Sequence, residues 1–166
     1  MHHIDLDMDA STALRFHFGE MAFSIPWRSA QIAIAGASPL ALSIWQTLLV
    51  ASILFHHSNV RLPARAERLL SFVIMTPRLH DIHHQAIPER ANSNWSSGLA
   101  LWDRMHGTWR GSAGEELLGV PAYQKPEDVT IAKCAAIPFM AQRADWEGEF
   151  RRPQAPGGWR EPTQGR

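Results

Sequence analysis

The chain has 166 residues, with 16 basic and 16 acidic side chains and a formal net charge of zero when its nine histidines are neutral. That balance argues against a nucleic-acid partner, because phosphate affinity rests on clustered lysine and arginine, and a 45% hydrophobic composition argues against a disordered chain. Cys134 is the only cysteine, which excludes an intrachain disulfide and a four-cysteine zinc site.

The length allows one domain with a core. The chain opens Met1-His2-His3-Ile4-Asp5, without the basic stretch and apolar run of a secretory signal. It reads as the interior of a structured segment. Between Arg28 and Arg61 no formally charged residue occurs, and the apolar centre runs from Ala30 to Phe55. That is longer than one bilayer span of about 20 residues and shorter than two. Gly36, Ser38 and Pro39 interrupt it, so it is either one kinked helix or a hairpin with legs near 20–37 and 40–56. Arginines on both flanks (Arg15 and Arg28 before, Arg61, Arg65 and Arg68 after) favour the hairpin, because basic residues collect on the cytoplasmic side. Arg28 would then snorkel to the headgroups. A buried helix pair in a soluble protein is the alternative, and a mean hydropathy of −0.20 speaks for it.

Leu69 to Met75 is apolar but too short to cross a bilayer, and predicts an interfacial or buried helical segment. Thr76-Pro77 combines a hydroxyl cap with proline at the first helical position, predicting a helix over 77–87. Asn92 to Gly98 is loop-like, and Leu99 to Trp109 predicts a short amphipathic helix. Beyond Gly111, Pro121, Pro126 and Pro138 punctuate the chain. The expected architecture is all-α: an integral membrane helical hairpin about 20–56, a cytosolic histidine-rich helical cap within 1–112, a short extension over 113–150, and a disordered tail over 151–166.

The sharpest chemical feature is His80-Asp81-Ile82-His83-His84. On a helix, His80 shares a face with His83 and His84, and neutral imidazole is a common ligand for zinc, iron and copper. Three histidines in five residues are also compatible with a solvated polar face. His56-His57 close the second apolar leg. Under the hairpin reading, His2, His3, His17, His56, His57, His80, His83 and His84 all fall on one side of the membrane, as a shared site requires.

These residues resemble the fatty acid hydroxylase superfamily in its bacterial sterol desaturase-like branch. The last histidine box of that family is matched by His80-Asp81-Ile82-His83-His84, followed by Asn94 and by Trp102-Asp103-Arg104-Met105-His106-Gly107-Thr108. His2-His3 through His17 are similar to the end of the middle box and its continuation, and His56-His57-Ser58-Asn59-Val60-Arg61-Leu62-Pro63 to the stretch after the last membrane hairpin. The first HxxxH box would lie upstream of Met1, so the resemblance implies the C-terminal half of a longer enzyme.

The resemblance further implies a membrane-bound oxidoreductase. It would hold two iron ions (a di-iron centre), use O2 and a separate electron donor (a reductase or carrier), and hydroxylate or desaturate a lipid C–H bond. It implies metal ligands at His2, His3, His17, His57, His80, His83 and His84, with His56, Asp81, Asn94 and Asp103 as further ligands or as partners orienting imidazoles. Asp103 could equally be a surface charge paired with Arg104 or Arg110. Trp95, Trp102 and Trp109 would form an interface belt or a cap over the site. The implied location is a bacterial inner membrane, multi-pass, with the metals on the cytoplasmic side. The alternative is a truncated, catalytically inactive membrane metal-binding remnant. A soluble zinc hydrolase fits less well, since no HExxH motif is present.

Overall fold

A computed structural model describes residues 1–112, 114, 117–141 and 143. After two 3-10 turns come two long helices, α1 (Phe18–Ala35) and α2 (Pro39–His56), followed by α3 (Ala64–Leu70), α4 (Pro77–His83), α5 (Pro88–Ala91), α6 (Leu101–His106) and α7 (Ile131–Ala136), with two further 3-10 turns before α7 and one after it. Among the described residues there is no strand, only one antiparallel bridge between Gln85 and Leu118. The all-helical class is therefore as expected, while the tail at 151–166 lies outside the described residues.

The turn between α1 and α2 is written in local chemistry. Gly36 takes φ +65, a left-handed conformation that glycine adopts without a steric penalty, and closes α1 by donating to the Ile32 carbonyl. Ser38 then caps α2, its hydroxyl accepting from the Ala41 N–H at 3.2 Å, and Pro39 occupies the first turn where no N–H is needed. None of the residues of α1 is buried, and in α2 only His56 is. Phe23, Ile34 and Leu40 stand 82%, 87% and 70% exposed, a density of outward apolar side chains that water does not favour. Among the described residues only α2 is long and apolar enough to cross a membrane. The expected hairpin is present as two helices, but α1, with Glu20 and Arg28, lacks the composition of a span.

The remaining helices gather at the C-terminal end of α2. Thr76 caps α4 as expected, accepting from the Leu79 N–H at 3.3 Å, and its hydroxyl donates to the buried Glu67 carboxylate at 2.6 Å, which fastens α4 to α3. The helix predicted over 77–87 stops at His83, because the chain turns to bond the 117–119 segment: Ala86 N–H donates to Leu117 O at 2.8 Å and Gly119 N–H to His84 O at 3.0 Å. The helix predicted over 99–109 is confined to Leu101–His106, ended by Gly107 at φ +71. Met75, Leu79 and Ala100 form a small core with Trp109 against it. Thr76→Val removes both hydroxyl bonds and strands a buried carboxylate. It is expected to cost about 2 kcal/mol, read as a lowered thermal midpoint that Thr76→Ser largely restores.

Candidate metal centre

Three segments converge. His2 and His3 ride on a 3-10 turn at His2–Ile4, held by the buried Asp5, which accepts from the Thr12 hydroxyl at 2.6 Å and pairs with Arg15 at 2.9 Å. His56 and His57 end α2, and His80, His83 and His84 come from α4 and its C-cap. All seven rings form one continuous cluster. His2 lies 5.3 Å from His84 and 5.9 Å from His57 between ring centroids; His3 stacks on His84 at 4.4 Å and meets His83 edge-on at 4.5 Å. His80 lies 4.1 Å from His56 and 4.3 Å from His57.

Within the cluster two triads bring a nitrogen of each member within 4.8 Å of the others: His2, His57 and His84, and His56, His57 and His80. His57 belongs to both. Its Nδ1 donates to the Ile53 carbonyl at 2.9 Å, and Nδ1 of His83 donates to the Ser93 carbonyl at 2.8 Å. A carbonyl only accepts, so Nδ1 carries the proton in both rings and Nε2 presents a lone pair to the interior.

Nε2 of His80 lies 3.1 Å from Nε2 of both His57 and His84, and a single N–H can point squarely at only one of them. Nδ1 of His56, His80 and His84 are buried without a hydrogen-bond partner. Each unpaired buried nitrogen costs about 1–3 kcal/mol. A cation among the converging Nε2 lone pairs of His57, His80 and His84 would turn their close approach from repulsive to favourable, and an all-imidazole set suits iron, zinc or copper. The residues therefore fit a metal centre.

Burial, and secondarily the neighbouring imidazoles, holds these rings neutral. It pushes His2 down to about 4 and His3 to about 3, and lowers His57, His80 and His84 as well. Burial also lowers His83, partly offset by the carbonyls it bonds and by Asp103. The unfolded chain takes up protons from about 6.5 downward, where the folded chain refuses them until far lower. Chelator-treated protein is thus expected to hold its stability above pH 6.5 and to lose it progressively toward pH 4 to 3, measured as thermal midpoint against pH. A midpoint that stays flat or rises on acidification would contradict buried neutral imidazoles.

Other expected site residues serve differently. His17 stands apart from the cluster: its Nδ1 accepts from Gly19 N–H at 3.1 Å, capping α1, and its Nε2 donates to Ala135 O at 3.0 Å, so both ring nitrogens are engaged. Asp81 sits half-buried on α4. Asn94 and Asp103 organise backbone rather than imidazoles. The Asn94 amide donates to Leu79 O and Arg110 O and accepts from Arg110 N–H, at 2.8–2.9 Å. Asp103, 2% exposed, accepts from Trp95 N–H, Ser96 N–H and the Thr108 hydroxyl at 2.7–3.0 Å. Burial alone would raise its carboxyl pKa, but these bonds outweigh it and hold the pKa below the usual value. No surface pairing of Asp103 is needed.

The groups that orient imidazoles, the carbonyls of Ile53 and Ser93, were missed in the sequence. The four-residue spacing of Ile53 and His57 on one helix was the available signal. Of the tryptophans, Trp95 packs edge-on against His83 at 4.9 Å, Trp109 against the core, and Trp102 is exposed.

A family model described as fatty acid hydroxylase matches residues 1–108. The ornithine lipid hydroxylase OlsE of Rhizobium tropici is 30% identical over 131 residues, which cover 78% of this chain and 36% of that protein. The chain thus spans about a third of the length of this curated relative. No solved structure matches.

Proposed function

The chain belongs to the fatty acid hydroxylase family, and from that premise we propose that it carries the metal centre of a membrane oxidoreductase that hydroxylates a lipid C–H bond. The observation that carries the reading is the pair of imidazole triads sharing His57. The seven imidazoles would hold two iron ions between them; His57, with its Nδ1 proton on Ile53 O, has one lone pair and would ligate one iron, in the triad with His2 and His84 or in that with His56 and His80. Two irons bound here would supply, with O2, two electrons from a separate electron donor and two protons from solvent, the oxidising power that no side chain has. One oxygen atom enters the lipid as a hydroxyl and the other leaves as water.

The chain's own part is to keep seven imidazoles neutral, fix the Nδ1 protons of His57 and His83 on carbonyls, and exclude water by burial. α2 crosses a bacterial inner membrane as one pass of a multi-pass anchor. The centre sits on the cytoplasmic side, where Arg61, Arg65 and Arg68 follow α2. Hydroxylation is favoured over desaturation because the relative is named a hydroxylase, and that name makes an amino-acid lipid the first substrate to try.

The test is mass spectrometry of lipids from nanodiscs incubated with the iron-loaded protein, O2 and a reducing system. A lipid heavier by one oxygen atom, labelled from 18O2, is the expected product. Bound iron without any oxygenated lipid would favour the metal-binding protein without catalysis.

A further inference from the structure

A second apolar surface lies outside the metal centre and outside the long helices. Leu69 and Leu70 end α3, Phe72 and Val73 follow in the turn, and α6 adds Leu101, Trp102 and Met105; all are exposed, Leu69 at 73% and Met105 at 66%. The two halves are joined by Arg104, whose guanidinium lies 4.4 Å from the Phe72 ring centre and 3.9 Å from that of Trp109, and reaches Ser71 O at 3.4 Å. They are therefore one face held in a fixed shape.

The charges around this face have one sign. Arg65 and Arg68 are exposed on α3, and Arg78 is exposed at the start of α4. The single acid of α3, Glu67, is withdrawn from the surface, buried against Thr76. The face also begins thirteen residues after His56, where the span-like α2 ends. An apolar face with large aromatic and aliphatic side chains and a cationic rim, beside the end of a spanning helix, matches the headgroup–acyl boundary of an anionic bilayer.

We propose that the α3–turn–α6 face is a second membrane contact, seated in the interface of an anionic bilayer next to the emergence of α2. It rests on the reading of α2 as membrane-spanning. It holds the histidine-bearing α4, which begins directly after this turn, at a fixed depth beneath the headgroups. Phe72 and Val73 enter the acyl boundary, while Arg65, Arg68 and Arg78 meet phosphates.

The experiment places an environment-sensitive fluorophore on single cysteines in a Cys134→Ala background: Phe72→Cys, Val73→Cys, Leu48→Cys in the middle of α2, and Lys125→Cys as a water-exposed control. Each protein is reconstituted in nanodiscs of phosphatidylcholine with phosphatidylglycerol, and its metal content is compared with the parent. Labels at 72 or 73 should show blue-shifted emission quenched by lipid-borne nitroxides. The label at 48 should be quenched by deeper nitroxides, and the label at 125 only by soluble quencher. Quenching of 72 and 73 by soluble quencher alone overturns the proposal, and so does protection from both quenchers, which would mean that protein covers the face. If 48 also behaves as exposed to water, the membrane reading of α2 falls first.

Discussion

His57→Ala is expected to lose more metal than His2→Ala, and His17→Ala none. The ranking follows from geometry alone. His57 is the only residue common to the two triads, and its Nε2 lone pair is aimed inward by the Nδ1 bond to Ile53. His2 contributes to one triad. His17 spends both nitrogens on Gly19 and Ala135. Metal per chain, counted by mass spectrometry on detergent-solubilised protein, should fall furthest for His57→Ala, whose lone pair serves whichever triad is filled, and less for His2→Ala, since a site that loses one of three protein ligands binds weakly. It should stay at the parent level for His17→Ala, although that variant is expected to melt earlier through loss of the α1 cap. Equal losses in all three variants would mean that histidine number, not the shared-ligand arrangement, governs binding.

Asn94→Ala is expected to be the most destabilising single change outside the histidines, at about 3–5 kcal/mol. Three hydrogen bonds from one fully buried amide join α4 to the 108–110 segment, and the Asn94 N–H donates to Thr108 O at 3.0 Å as well. Asn94 also adopts φ +50, the only non-glycine residue to do so among the described residues, a conformation that asparagine tolerates and alanine resists. Asn94→Gly separates the two effects. It loses the same bonds but relieves the backbone, and should recover about 1 kcal/mol relative to alanine. Asn94→Asp should be no better than alanine, because it turns carboxylate oxygens toward two carbonyls. Thermal unfolding of the three variants reads the order, and a wild-type midpoint for Asn94→Ala would refute this account of the α4 anchorage.

How much of this was legible in the sequence depends on how local each cause is. The turn at Gly36 to Pro39 and the start of α4 at Thr76-Pro77 follow from caps and backbone preferences within four residues, and both appear where the sequence puts them. The facing of His80, His83 and His84 follows from helical spacing. The end of α4 at His83 could not be read, because its cause, the pairing with residues 117–119, is distant in the chain. The same holds for the stacking of His3 on His84. Polar residues near a histidine cluster invite assignment to the imidazoles. Asn94 and Asp103 instead satisfy buried backbone groups, which carry no signature in side-chain composition. Conversely, His56 becomes a member of the second triad only once α2 is seen to end against α4.

The most direct test is iron K-edge X-ray absorption on the wild-type protein, loaded with iron and held in nanodiscs. The imidazole triads predict a nearest shell dominated by nitrogen, with the multiple-scattering pattern of several imidazole rings and a second iron scatterer beyond them. A shell dominated by oxygen or sulfur, or no iron retained after buffer exchange, would contradict the assignment of this cluster as the metal centre.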